Sequence, residues 1–324
     1  MLAEILLFAL GLVLLIFGGN WFVDGAVGFA KKFHMPELLI GATVVSIGTS
    51  LPEVMVSVTS SAGGQGSIAY GNAIGSIICN TALISAITIA VRPGTVDKKT
   101  LRTPTIFFFL AAAIYVIVSY TTKYFSRWLG TALLAIFAVY IIVNVRQSLK
   151  PESAAVSLQA AEEDEKAVPV WKSLILLVIG AAMIAVGADL LVDNGTLIAQ
   201  DLGVPETVIA LTFVALGTSL PELITAITSL AKGHSALSLG NVIGANVFNL
   251  VLVSGLSISI APFELPESSL IAGINSSLVV DLPLMVIVML ILTVPALAKG
   301  KLYRAQGIVL LVIYAAFCVY QFTI

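Results

Sequence analysis

In lipid, the N–H and C=O groups of a backbone can bond only to one another, and this chain carries ten apolar runs long enough to meet that demand as helices. They cover residues 4–30, 37–61, 68–91, 103–122, 128–146, 171–198, 206–230, 237–260, 281–298 and 306–323. Of 324 residues, 59% are hydrophobic and 10% charged. A soluble domain is about 45–50% apolar and about 25% charged. The chain therefore reads as an all-α polytopic membrane protein with ten transmembrane helices. The first run lacks a basic start and a small-residue cleavage pattern, so it reads as a retained span. The net charge of −2 points away from a nucleic-acid partner. Cys79 and Cys318 lie in apolar runs and read as small packing residues. His34 and His234 fall in loops and make no metal-ligand pattern.

Cytoplasmic loops are enriched in Lys and Arg. With the N-terminus outside, all but two of the 16 Lys and Arg fall on the inside, and only Lys123 and Arg127 fall outside. Ten spans return the C-terminus to the outside. One long polar segment, residues 147–170, contains "AAEEDEK" and reads as a solvated cytoplasmic linker. It divides a first five-helix unit, residues 1–146, from a second, residues 171–324.

The two units match at a constant offset of 169 residues. "GTSLPE" at Gly48–Glu53 recurs at Gly217–Glu222, "GNAIG" at Gly71–Gly75 as "GNVIG" at Gly240–Gly244, and Asn80 as Asn249. Beyond Asn80 the offset grows, which places about ten extra residues near Glu264–Val280 and suggests an added loop or short surface helix. Equivalent points lie five spans apart. Five is odd, so the second unit crosses in the opposite sense. Secondary transporters use such inverted repeats, with substrate bound at the midplane on interrupted helices.

Few ionisable groups lie inside the spans, and a charge at a helix centre costs roughly 2.5–3.5 kcal/mol on insertion scales. They are Asp24, Glu53, Asp189, Asp193 and Glu222, with Asp281 at an edge. No Lys or Arg lies inside a span to pair with Glu53 or Glu222. Thr49 and Ser50 share a helical face with Glu53, as do Thr218 and Ser219 with Glu222. Ser76 stands one turn before Asn80. These hard oxygen donors suit Na⁺, Mg²⁺ or Ca²⁺ rather than zinc or copper. Pro52 has no N–H and clashes with the carbonyl of Gly48, so the span is expected to break and free carbonyls; Pro221 and Gly217 repeat the arrangement. The paired glycines of the two "GNxxG" stretches read as close helix packing. Asp24 and Asp193 read as helix-end or inter-repeat hydrogen-bonding groups.

These motifs resemble the sodium/calcium exchanger family, within the cation/calcium antiporter superfamily. Its two repeats each carry a G-T-S-x-P-E helix followed by a G-N-x-x-G helix that ends in Asn or Asp. The resemblance covers nearly the whole chain. The proton/calcium branch carries G-N-A-x-E-L instead of G-T-S-L-P-E. The resemblance implies Glu53 and Glu222 as central Ca²⁺ ligands, with Thr49 and Thr218 contributing backbone carbonyls. It implies flanking Na⁺ sites from Ser50, Ser76, Ser219 and the carbonyls of Ser46 and Ala215, with Asn80 and Asn249 lining the centre. Asn249 stands where some members carry Asp, and Ala245 where Ser is common, which bears on the Na⁺ sites.

The expected activity is Na⁺/Ca²⁺ antiport by alternating access in the cell membrane, with H⁺/Ca²⁺ or K⁺-dependent antiport as the alternative. Spans 4–30 and 171–198 carry no ligand set and are the expected movers. A cation channel lined by the same oxygens is the rival class, distinguished by uncoupled current. No cofactor, enzymatic activity or protein partner is expected; the partners are the transported Ca²⁺ and Na⁺ and the bilayer.

Overall fold

The computed structural model describes residues 2–33, 35–148, 169–202, 217–267 and 270–323. The helices are α1 (Leu2–Lys32), α2 (Glu37–Thr49), α3 (Leu51–Ala62), α4 (Gly66–Val91), α5 (Lys98–Thr121), α6 (Arg127–Ser148), α7 (Val170–Asp201), α8 (Leu220–Ala231), α9 (Ser235–Ile260), α10 (Ser277–Lys299) and α11 (Arg304–Thr323). Eight of them are long and apolar enough to span a bilayer, and α2 and α3, bent by 47° at one residue, make a ninth. The run expected at 206–230 is described only from Gly217 onward, as the short helix α8. Its first half, and the linker at 149–168, lie outside the described residues. The protein is an integral membrane protein: large apolar side chains such as Leu6, Ile117, Val178 and Val312 stand exposed on the helices. Trp128 and Trp171 stand exposed near the starts of α6 and α7, where aromatic rings anchor a membrane interface.

Elements recur in the same order in the two halves. Both hairpins, α3–α4 and α8–α9, turn on a glycine with positive φ, Gly64 at 79° and Gly233 at 88°, positions 169 apart. A side chain there would be strained, so the turn demands glycine. Helices α1 and α7, equivalent by sequence, run antiparallel. Gly11 packs on the carbonyl of Gly187, Gly18 on that of Gly180 and Gly25 on that of Ser173; a Cβ at each would come within 2.9, 3.0 and 2.7 Å. The partner numbers fall as the others rise, which is direct evidence of opposed chain direction.

The glycines of the second "GNxxG" stretch pack as expected: a Cβ on Gly240 would strike the carbonyl of Leu38, and one on Gly244 would strike Ser46 and Ala42. Gly71 and Gly75 meet nothing among the described residues.

Of the two forms expected for the extra segment, it takes the loop and not the surface helix: a hairpin of β3 (Leu270–Ile271) and β4 (Ile274–Asn275). Its two central residues, Ala272 and Gly273, both have positive φ, at 50° and 80°, which is the geometry of a tight two-residue hairpin turn. A nearby pair, β1 (Tyr124–Phe125) and β2 (Phe263–Glu264), ties the loop of the first half to that of the second. At the opposite, lysine-rich end, Asp97 caps α5, accepting from the N–H groups of Lys99 at 3.2 Å and Thr100 at 3.1 Å. Partial burial works against its charge, but these bonds and the Thr100 hydroxyl outweigh it and hold the carboxyl below its ordinary value.

One apolar core joins α4, α5, α6, α9 and α10 around Phe108, Tyr115, Phe125, Tyr140 and Phe248. A second joins α1 to α7 through Phe22, Val23, Leu177 and Ile184. The candidate site lies between these two clusters.

Candidate functional site

The backbone bonds of α2 run to Ser50 N–H on Ser46 O at 3.0 Å and resume with Val54 N–H on Ser50 O at 3.1 Å. The carbonyls of Ile47, Gly48 and Thr49 fall in the gap. Pro52, lacking an N–H, is the chemical cause. Ser50 sits at φ −86°, ψ 6°. Ser219, its counterpart, sits at φ −90°, ψ 3°, and Leu223 N–H resumes the ladder on Ser219 O at 3.0 Å. Each break places a glutamate third in the helix that follows: Glu53 in α3 and Glu222 in α8.

Both carboxylates are 0% exposed, as are Asn80 and Asn249. Buried polar atoms in a native fold almost always have partners. Here both oxygens of Glu53, one of Glu222, and both side-chain polar atoms of Asn80 and of Asn249 have none. No Lys or Arg pairs with either glutamate among the described residues. Asn80 and Asn249 each open a π-helical stretch, Asn80–Ser85 and Asn249–Val253. Such widened turns frequently mark functional positions inside α-helices, and nothing in the residue pattern announced them.

Hydrogen bonds bring the two halves together here. Ser50 Oγ donates to Glu222 Oε1 at 3.3 Å. The hydroxyls of Ser219 and Ser76 lie 3.4 Å apart. Thr49 donates to Asn241 Oδ1 at 3.2 Å, and Thr218 to Asn72 Oδ1 at 3.2 Å. The Ser46 hydroxyl lies 2.7 Å from Gly41 O and 3.0 Å from Asn241 O, while its carbonyl accepts from Ser50. Its carbonyl therefore keeps one lone pair. Ala245 is 0% exposed and offers no hydroxyl opposite Ser50. Ala215 lies outside the described residues.

Sequence reasoning passed over Asn72 and Asn241, which it treated only as neighbours of packing glycines. Asn72 donates to Glu53 O at 3.1 Å and Ser57 Oγ at 2.8 Å while accepting from Thr218. It braces α4, α3 and the break of the other half at once. The signal was available: both asparagines recur in both copies of "GNxxG". Asp24, by contrast, is an exposed residue bonded to Lys232 at 2.6 Å, as its reading as an inter-repeat hydrogen-bonding group implies. It plays no part at the glutamates.

A narrow crevice bounded by Phe22, Gly48, Thr49, Pro52, Ala181 and Pro221 reaches both breaks, so α1 and α7 close over the site. A larger cavity of about 700 Å³ lies at the lysine-rich end, between Leu38, Thr88, Arg92, Leu230 and Ser238. It contains neither glutamate, and the orphaned polar atoms mark the smaller place as the chemically significant one. The carboxylates of Glu53 and Glu222, the amides of Asn80 and Asn249 and the neighbouring hydroxyls, with no His/Cys/Asp/Glu metal cluster among the described residues, can hold a hard cation.

The profile of the family described as "Sodium/calcium exchanger protein" matches residues 3–146 and 172–323. The chain is 35% identical over 311 residues to an uncharacterized membrane protein, MJ0091, of Methanocaldococcus jannaschii, covering 95% of this chain and 94% of that one. It is 30% identical to the sodium/calcium exchanger MaX1 of Methanosarcina acetivorans, covering 98% of each. Among solved structures it superposes on the sodium-calcium exchanger NCX_Mj, soaked with 2.5 mM Na⁺ and 0.1 mM Sr²⁺, with a TM-score of 0.81 and 32% identity over 97% of each chain.

Proposed function

The chain belongs to the sodium/calcium exchanger family, and on that premise we propose that it exchanges Na⁺ for Ca²⁺ at a site centred on Glu53 and Glu222. The observation that carries the reading is the pair of fully buried carboxylates with unpartnered oxygens and, among the described residues, no cationic side chain bonded to them. Stranding two such charges in low dielectric is costly. A cation of charge +2 cancels them, and so do two or more monovalent cations.

Alternating access follows from that balance. The loaded site can be closed off from water, whereas the empty site would bury two bare charges. The carrier therefore changes sides only when loaded, and flux in one direction is coupled to flux in the other. Glu53, Glu222, Asn80 and Asn249 surround Ca²⁺. Thr49 and Thr218 add carbonyls, and Ser50, Ser219, Ser76, Ser46 and Ala215 bound the flanking Na⁺ positions. Helices α1 and α7, which cover the breaks and carry no ligand, move against the rest. The lysine-rich end faces the cytoplasm, with residues 147–170 linking the two five-helix units there.

Sodium is favoured over protons by the "GTSLPE" stretches and by MaX1, named a sodium/calcium exchanger, which aligns along nearly its full length. The test is Ca²⁺ uptake into proteoliposomes loaded with Na⁺. Uptake that stops when the Na⁺ gradient collapses, and survives collapse of a pH gradient, supports the reading. The reverse pattern replaces it with proton antiport.

A further inference from the structure

Sequence equivalence maps α1 onto α7 and α8 onto α3, so each contact at one end of the bundle has a mirror position at the other. One of these contacts is unequal. Lys232 caps the C-terminus of α8 and reaches across to α1. Its Nζ lies 2.6 Å from Asp24 Oδ1 and donates to the Asn20 carbonyl at 3.0 Å. Beneath this pair the helices touch: a Cβ on Gly19 would come within 2.7 Å of Ile224 and 2.9 Å of the Thr228 hydroxyl. Adding or subtracting 169 finds Asp193 opposite Asp24, but Gly63 opposite Lys232. The acid occurs twice and the lysine once. The packing is unequal too. Met55, the counterpart of Ile224, is 61% exposed, and α7 does not lie along α3 as α1 lies along α8.

We infer that Lys232 is a positioning residue that pins α1 to α8 at the lysine-rich end, and so sets which face of the membrane the carrier prefers to open toward. With the pin in place that end is shut, while among the described residues the end at Gly63 has no equivalent tie. The inference rests on the alternating-access reading above. An exposed ion pair is a modest interaction. A modest bias is what a two-state carrier reports, because apparent affinity at one face scales with the fraction of carrier open to it. The lysine thus acts on sidedness rather than on the ion cage.

The test uses full-length protein in proteoliposomes and follows Ca²⁺/Ca²⁺ exchange, which needs no particular coupling ion. Lys232→Gln and Asp24→Asn are expected to lower the half-saturating Ca²⁺ at the lysine-rich face about two- to fivefold and to raise it at the other face. Exchanging the charges, Asp24→Lys with Lys232→Asp, restores the original ratio. Gly63→Lys, which offers Asp193 a partner and ties the other end, moves the ratio in the same direction as Lys232→Gln. In parallel, hydrogen–deuterium exchange of α1 residues 20–32 quickens in Lys232→Gln, while residues 2–10 stay as they were. A ratio of the two affinities that is the same in the variants as in the unaltered protein, or unchanged exchange at residues 20–32, overturns the inference. Absence of Ca²⁺ flux in the unaltered protein overturns the transport reading instead, and the hydrogen-exchange arm still decides the role of Lys232.

Discussion

Ser50 and Ser219 precede their glutamate-bearing helices at almost the same dihedral angles, yet the side chains around the two positions are bonded differently. In the first half, Asn72 holds the carbonyl of Glu53, the hydroxyl of Ser57 and, across the interface, Thr218. In the second, Asn241 accepts from Thr49, its amide nitrogen has no partner, and Ala226 stands where Ser57 would be. Ser76 meets Ser219, whereas Ala245 leaves Ser50 to bond Glu222 directly. The backbone is symmetric because proline and glycine at fixed spacing dictate it. The oxygen set is not, because single substitutions change it without disturbing the break. The two sides of the candidate cage therefore present different oxygen donors.

The largest effect tests where the halves are alike. Glu53→Gln and Glu222→Gln should each lower Ca²⁺ exchange in proteoliposomes by about 100-fold or more, the scale of unbalancing a buried charged group. A variant that keeps its flux would show that one half alone carries the site. Next comes stability, where the halves differ. Asn72→Ala removes three contacts and should cost about 2–3 kcal/mol, against about 1 kcal/mol for Asn241→Ala, in denaturant unfolding of the purified protein. Equal costs would mean that the extra bonds of Asn72 carry no weight.

A smaller effect is expected at Ala245. Ala245→Ser restores the hydroxyl that the first half has in Ser76, and should lower the half-saturating Na⁺ concentration about two- to tenfold, the worth of one added oxygen contact. Ser76→Ala should raise it by a similar factor. The smallest concerns the helix starts. Asp97 caps α5 through two N–H groups, while at the start of α10, its counterpart, Asn275 Oδ1 accepts from the Ser277 N–H alone. Asp97→Ala should cost about 1 kcal/mol at neutral pH. Because folding holds this carboxyl below its ordinary value, its contribution is complete above pH ~4 and fades as pH falls through the lower folded value. Unfolding midpoints of wild type and variant should therefore differ by the same amount from pH 5 to 8 and converge only in strong acid.

Much of this was legible in the residues. The apolar runs located every described span, "GTSLPE" located both breaks, and the odd span interval anticipated the antiparallel α1 and α7. What escaped has physical reasons. A π-helical turn at Asn80 leaves no readable trace, because the one residue it inserts rotates a helix that is buried on most sides and so carries no clear polar face to displace. Asn72 and Asn241 act through bonds to the opposite half, which no local window contains. The Ala272–Gly273 turn carries a non-glycine residue at positive φ, where the usual turn signal is Asn or Asp. Lys232 looked like one more loop cation until its partner on α1 stood beside it.

The gap in the backbone at Ile47, Gly48 and Thr49 bears on folding as well as on transport. A chain that leaves carboxylate and amide atoms unsatisfied in its interior folds less firmly than one that closes them. Whatever ion completes that shell binds the folded protein and not the unfolded chain. Its concentration then enters the folding equilibrium, adding about 2.7 kcal/mol when the ion stands 100-fold above its dissociation constant. The melting temperature of the purified protein should therefore climb with the transported ion, so its thermal stability also gauges which cations the cage accepts.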